Sequence, residues 1–170
     1  MKYFYDTEFI EDGKTIELIS IGIVAEDGRE YYAVSSEMPW DRIRKHDWLM
    51  QNVVPQLGDE RKPRATIRDE VSDFLFPVQK TPLGIVNRGL PELWAWFASY
   101  DHVVLAQLFG TMMDFPNHVP MWTNDLRQEQ YRRGNPGLPE QPEGLHNALA
   151  DAKHLKLRYE YLHKKVTPCG

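Results

Sequence analysis

Tyr3-Phe4-Tyr5-Asp6-Thr7-Glu8-Phe9-Ile10-Glu11-Asp12-Gly13, followed by Thr15-Ile16-Glu17-Leu18-Ile19-Ser20-Ile21-Gly22-Ile23-Val24-Ala25, is the stretch on which the fold turns. Lys2 to Asp6 is short and rich in aromatics, which suits a strand. Glu17 to Ala25 is a run of β-branched residues that ends at Glu26-Asp27-Gly28-Arg29, and its Asp-Gly pair favours a tight hairpin. Glu30 to Val34 reads as the returning strand. A second Asp-Gly pair, Asp12-Gly13, separates the first strand from the second. The pattern predicts three antiparallel strands in a meander.

Further along, the chain turns helical. Trp40 to Asn52 reads as one helix stopped before Pro55. Ile67, Val71, Phe74 and Leu75 recur at helical spacing within Thr66 to Phe76. Gln79 to Pro91 reads as loop, and Leu93-Trp94-Ala95-Trp96-Phe97 as a buried strand whose two tryptophans belong to the core. A helix from Asp101 to Phe109 ends at Gly110. Met113 to Gly144 carries five prolines and must be largely loop, with one short helix near Asn124 to Arg133. Such long excursions inside compact domains are often functional. The last element is the clearest: Ala148, Ala152, Leu155, Tyr159 and Leu162 form one apolar stripe on a helix from Asn147 to His163. Strands, helix, strand, helix and final helix make a layered α/β domain.

With 170 residues, 42% of them apolar, the chain has the size and core of a single domain, read here as 1–165 with a tail at 166–170 to which no role can be given. No stretch approaches the roughly 18 apolar residues of a membrane span, and the start lacks the apolar core of a signal peptide. A cytoplasmic protein is expected. The lone Cys169 excludes an intrachain disulfide framework. A net charge of −5, from 20 basic and 25 acidic residues, argues against bulk electrostatic capture of duplex nucleic acid. It leaves room for an enzyme acting on a nucleic-acid end, where bound cations supply the positive charge.

Three features carry chemistry. Asp6 and Glu8 stand at i and i+2 on a strand, so both carboxylates project from one face. Like charges this close repel, unless a hard cation such as Mg²⁺ or Mn²⁺ sits between them. Asp101, beside His102, opens a helix. His146 and Asp151 are five residues apart, which on one helix would put them on different faces. With His146 in the loop before the helix, and Gly144 loosening the approach, the histidine can fold back toward Asp151. Asp151 borders the apolar stripe and needs a partner there. Singly, each feature has an ordinary explanation: a solvated strand end, a helix cap, an aspartate satisfying backbone donors.

Taken together, the order Asp-x-Glu, Asp, His-x₄-Asp resembles the DEDDh branch of the DEDD 3′–5′ exonucleases, carried by Asp6, Glu8, Asp101, His146 and Asp151 and by the His-x-Ala-x-x-Asp-Ala form of His146, Ala148, Asp151 and Ala152. The opening stretch quoted above, with Leu93-Trp94-Ala95-Trp96 and Tyr100-Asp101-His102-Val103, further resembles the polyadenylate-specific exoribonucleases of the ribonuclease AS family. Between about Met38 and Leu90 no such likeness is evident. The resemblance implies an RNase H-like fold with a central mixed five-stranded sheet flanked by helices. It implies a homodimer, and single-stranded RNA with an adenylate-rich 3′ end as the partner. Two Mg²⁺ ions, for which Mn²⁺ can substitute, are the implied cofactors. Asp6 would bridge both ions, Glu8 and Asp151 would complete one site, and Asp101 would support the other.

His146 would be the general base, a task suited to imidazole because it titrates near neutral pH. Phe9, directly after the carboxylate pair, is the first choice for a stacking platform, with Thr7 and His102 as further RNA contacts. Arg61, Lys62, Arg64 and Arg68, and Arg127, Arg132 and Arg133, are basic groups able to track phosphates or simply to face solvent. The competing readings are a DEDDh nuclease for DNA 3′ ends and a non-catalytic RNA-binding module on the same fold. The presence of all five acidic and histidine positions argues against the second.

Overall fold

A computed structural model describes residues 1–87 and 89–164, so the tail at 166–170 lies outside the described residues. The predicted meander forms: β1 (Lys2–Glu11) pairs antiparallel with β2 (Ile16–Ala25), and β2 with β3 (Glu30–Ser35). Two short helices follow, α1 (Trp40–Ile43) and α2 (Asp47–Asn52), then a two-residue strand β4 (Arg61–Lys62) and helix α3 (Arg64–Leu75). Strands β5 (Val78–Thr81) and β6 (Gly84–Asn87) make a separate hairpin. The chain continues through β7 (Glu92–Ala95), α4 (Ser99–Phe109), β8 (Asn124–Asp125), α5 (Leu126–Arg132) and α6 (Ala148–His163).

The main sheet has the order β4-β3-β2-β1-β7-β8, parallel at β3/β4, β1/β7 and β7/β8 and antiparallel elsewhere. It is therefore a mixed sheet of six strands and not five, because both edges are closed by two-residue strands too short to show any period. Short edges of this kind discourage pairing with other chains. The expected single helix over Trp40 to Asn52 is broken. His46 takes an extended backbone (φ −105°, ψ 94°) and its ring nitrogen accepts from the Leu49 N–H, capping α2. The expected loop over Gln79 to Pro91 contains the β5–β6 hairpin; its Pro82-Leu83 turn lacks the Asn-Gly or Asp-Gly signature that betrays most two-residue hairpins.

Helices cover both sheet faces, which is why β2 reads as a nearly continuous apolar run. On one face Tyr3, Tyr5, Ile21, Ile23 and Leu93 pack against Ile67, Val71 and Leu75 of α3 and Val104, Leu105 and Leu108 of α4. On the other, Phe4 and Trp94 meet Leu126 of α5 and Leu155 and Leu162 of α6, while Ile10 and Ile19 meet Ile43, Leu49 and Val53. A bulge makes this second contact possible. Glu8 pairs with Ser20 but Phe9 with Leu18, so Ile19 is an extra residue on β2 and turns to the face of Ile10. Among the described residues no helix is long and apolar enough to cross a membrane.

One glycine sets how closely α6 lies on the sheet. A Cβ built on Gly22, the β2 partner of Asp6, would stand 2.3 Å from the backbone carbon of Ala148 and from the nitrogen of Leu149. Only hydrogen fits there, and the first turn of α6 rests directly on the strand. Gly22→Ala is expected to lift that turn. The cost should be in the overpacking range of about 1–3 kcal/mol, seen as a melting temperature lower by about 2–4 °C per kcal/mol. Gly137→Ala, with nothing within 4 Å of its Cβ, should melt like the parent in the same thermal scan.

Candidate active site

Asp6 and Glu8 share the α6 face of β1, as their spacing requires. They line a pocket of about 280 Å³ with Trp96, Gln141, His146, Asp151, His154 and Arg158. Glu8, His146 and Asp151 each offer a ligand atom, all within 4.8 Å of one another. Asp101 arrives from the opposite side of the sheet, at the start of α4. It is 5% exposed, and one of its oxygens accepts from the Thr7 N–H (2.9 Å) and the Thr7 hydroxyl (2.7 Å). Four carboxylates from β1, α4 and α6 thus converge, although they are up to 145 positions apart in the chain.

The loop before α6 does what Gly144 allows. Gly144 has φ +73° and His146 φ +66°, a left-handed backbone uncommon for a side chain of this size. The turn aims the His146 N–H at Asp151 Oδ2 (3.0 Å), while Asn147 caps α6 through the Ala150 N–H. The second Asp151 oxygen accepts from Gln141 Nε2 at 2.6 Å. The His146 ring is fixed edge-on to Trp48 of α2, with centroids 4.7 Å apart.

The electrostatics are those of an anionic cage. Burial, then the charges of Asp101, Glu8 and Asp151, push the Asp6 carboxyl well above its ordinary range. Burial, then Asp151 and Asp101, raise Glu8 to about 8. Burial raises Asp101 to about 6 against the lowering effect of its Thr7 hydrogen bonds. Burial raises Asp151 as well, opposed by Gln141 and the His146 N–H. This donor set, oxygen-rich with one imidazole and short of positive charge, fits hard divalent cations.

Of the expected RNA contacts only Thr7 lines this pocket, while Phe9 and His102 lie elsewhere. Thr7 anchors Asp101. Phe9 faces the opposite side of the sheet and stacks on Tyr100, with centroids 5.8 Å apart and planes 6° from parallel. His102 meets the Tyr5 hydroxyl at 3.4 Å and lines a separate groove with Trp122 and Asp125. The basic run is locally engaged: Lys62 with Glu70, Arg68 with Asp69, and Arg64 with the Gln107 carbonyl. Trp94 is core, as expected, but Trp96 is half-buried and walls the pocket, because β7 stops at Ala95 and the chain turns at Phe97 with φ +53°.

Residues 1–162 match the family described as the 3′–5′ exoribonuclease Rv2179c-like domain. The chain belongs to that family. Two curated relatives from Mycobacterium tuberculosis are each 46% identical over 166 residues, covering 95% of this chain and 93% of theirs: the 3′–5′ exoribonuclease Rv2179c of strain ATCC 25618 / H37Rv and the 3′–5′ exoribonuclease MT2234.1 of strain CDC 1551 / Oshkosh. The match to the Rv2179c-like family runs through Met38 to Leu90, where no likeness was evident by inspection, and that stretch delivers Trp48 to the His146 ring.

Trp48 and Gln141 were not foreseeable from spacing. His154 and Arg158 were, since they stand at i+3 and i+7 from Asp151 on one helix face. The raised Glu8 carboxyl carries a linked prediction. Glu8 takes up a proton on folding between its ordinary value of 4.5 and about 8. The native state then binds more protons than the unfolded one, so cation-free protein loses stability as pH rises through that window. In EDTA, melting temperature should fall from pH 5 to 8, and Glu8→Gln should flatten that slope and melt higher at pH 8. Equal slopes in parent and variant would contradict the assignment.

Proposed function

We propose that this protein is a Mg²⁺-dependent 3′–5′ exoribonuclease of the DEDDh type on an RNase H-like fold. In this reading it is a homodimer that releases nucleoside 5′-monophosphates from single-stranded RNA and prefers 3′ adenylate tracts. The observation that carries the reading is the cluster of Glu8, His146 and Asp151 beside Asp6, in a chain of an exoribonuclease family. A non-catalytic module has no use for four carboxylates that destabilise one another.

Asp6, Glu8, Asp101 and Asp151 would hold the cations. When bound, divalent ions supply Lewis-acid activation of water and neutralise charge developing on the phosphate and the leaving oxygen. The protein's own part is orientation and proton transfer. Water attacks phosphorus, the bond to the 3′ oxygen of the preceding nucleotide breaks, and a ring nitrogen of His146 takes the water's proton. Trp48 and the backbone hydrogen bond to Asp151 keep the imidazole at the pocket wall. Gln141 and Thr7 keep Asp151 and Asp101 aimed inward without adding charge.

With 5′-labelled homopolymers and Mg²⁺, the expected product is a ladder of single-nucleotide steps, fastest on poly(A), abolished by EDTA and restored by Mg²⁺ or Mn²⁺. Faster cleavage of DNA 3′ ends would turn the reading to a DNA exonuclease, and cleavage in EDTA would end it. Asp6→Asn should lose several orders of magnitude in rate. His146→Ala should lose about 10²–10⁴-fold, the usual worth of a general base; turnover within a few-fold of the parent would remove His146 from that role.

A further inference from the structure

The pocket contains one arginine whose position the chemistry above does not use. Arg158 lies seven residues beyond Asp151 on α6, about 10.5 Å along the helix axis, on the same face. Its side chain leans toward the N-terminal end of the helix, as helical side chains do, and so toward the carboxylates. Its guanidinium lies over the Trp96 ring, 5.0 Å from the centroid. Its Nε donates to the Pro139 carbonyl at 3.1 Å, and His154 meets the same carbonyl oxygen at 3.0 Å.

What Arg158 does not do is equally informative. Asp6, Glu8 and Asp151 line the same pocket, yet among the described residues Arg158 makes no ion pair and its two terminal nitrogens make no hydrogen bond. A guanidinium free to move would close on a carboxylate, forming a bidentate pair. This one is held off by the indole face and the Pro139 carbonyl. Its pKa is lowered, chiefly by burial, against the pull of Asp151 and Glu140. A flat, fixed fork of donors left facing an anionic pocket has a gap before it that suits a bound anion.

We infer that Arg158 grips the RNA phosphate one nucleotide upstream of the scissile bond. The inference rests on the exoribonuclease reading. A 3′-terminal nucleotide ends in a hydroxyl, so a substrate brings only two phosphates near this end: the scissile one and its 5′ neighbour. The carboxylate end of the pocket takes the first, and Arg158, further along α6, takes the second. Trp96 serves as a positioning residue by holding the guanidinium plane. Arg158 then makes the enzyme bind a chain in preference to its mononucleotide product, which lacks the second phosphate.

The test uses adenylate trinucleotides whose 5′ linkage is either a phosphodiester or a neutral methylphosphonate, with Mg²⁺ saturating. In the parent enzyme the methylphosphonate should raise KM about 10- to 100-fold, the worth of a hydrogen bond to a charged group. Arg158→Gln should raise KM on the phosphodiester trimer by a similar factor and then show little further loss with the methylphosphonate. On longer RNA its salt slope should fall by about 0.7, as for one phosphate contact on a single strand. If Arg158→Gln fails to fold, Arg158→Lys, which keeps the charge, must keep the sensitivity to methylphosphonate. A methylphosphonate penalty as large in Arg158→Gln as in the parent, or a fall in kcat with KM unmoved, overturns the inference. A parent enzyme that cleaves neither trimer sinks the exoribonuclease reading as well, which separates the two failures.

Discussion

Electrostatic repulsion among Asp6, Glu8, Asp101 and Asp151 is the constraint around which this molecule is built. Carboxylates in water would swing apart. Here each is held by a different part of the fold. The β1 ladder fixes the backbone of Asp6 and Glu8, Thr7 hooks Asp101 twice, and Gln141 with the His146 N–H takes both oxygens of Asp151. The charges cannot relax outward, so the tension is relieved by a proton or by a cation. The carboxyls of Asp6 and Glu8 are raised by burial first and by that repulsion second. Stability is given up at the place where the four carboxylates are gathered.

The close approach of α6 to the sheet makes this density of charge possible. Gly22 lets the first turn of α6 rest on β2 directly across from Asp6, which brings Asp151 within reach of the strand's carboxylates. The proline-rich excursion then works as a strap over the helix. Pro139 is tied to His154 and Arg158, Gln141 to Asp151, and the left-handed turn at Gly144 and His146 delivers the imidazole. A segment with little regular structure thereby walls the pocket and sets its polarity. The φ of +66° at His146 is a local cost that its hydrogen bond to Asp151 and its contact with Trp48 offset.

Asp101 and His146 joined the site only through the family resemblance, whereas the meander, the amphipathic last helix and the placement of Asp6, Glu8 and Asp151 were readable from local signals: Asp-Gly turns, an i, i+2 carboxylate pair and an apolar stripe with Asp151 at its border. These depend on periods of two and of three to four residues, which a sequence displays openly. Two-residue edge strands have no period to display, and the break at His46 depends on its ring accepting the Leu49 N–H, so the sheet's width and the split of the Trp40 to Asn52 helix stayed hidden.

Phe9 was legible by the same period of two that pairs Asp6 with Glu8. Its place next to the carboxylates suggested a platform for a base, yet the strand's alternation sends it to the opposite face, onto Tyr100. Gln141 and Trp96 come from separate segments and line the pocket only when the strap and α6 are packed on the sheet, and Trp48 of α2 reaches only the His146 ring. The amino-acid order alone determined which side chains carry charge and which strand and helix present them, because backbone periodicity is a local property. Tertiary packing alone decided which aromatic rings and donors surround that charge, because contacts between distant segments depend on how closely their backbones approach, and here a single glycine hydrogen sets that distance.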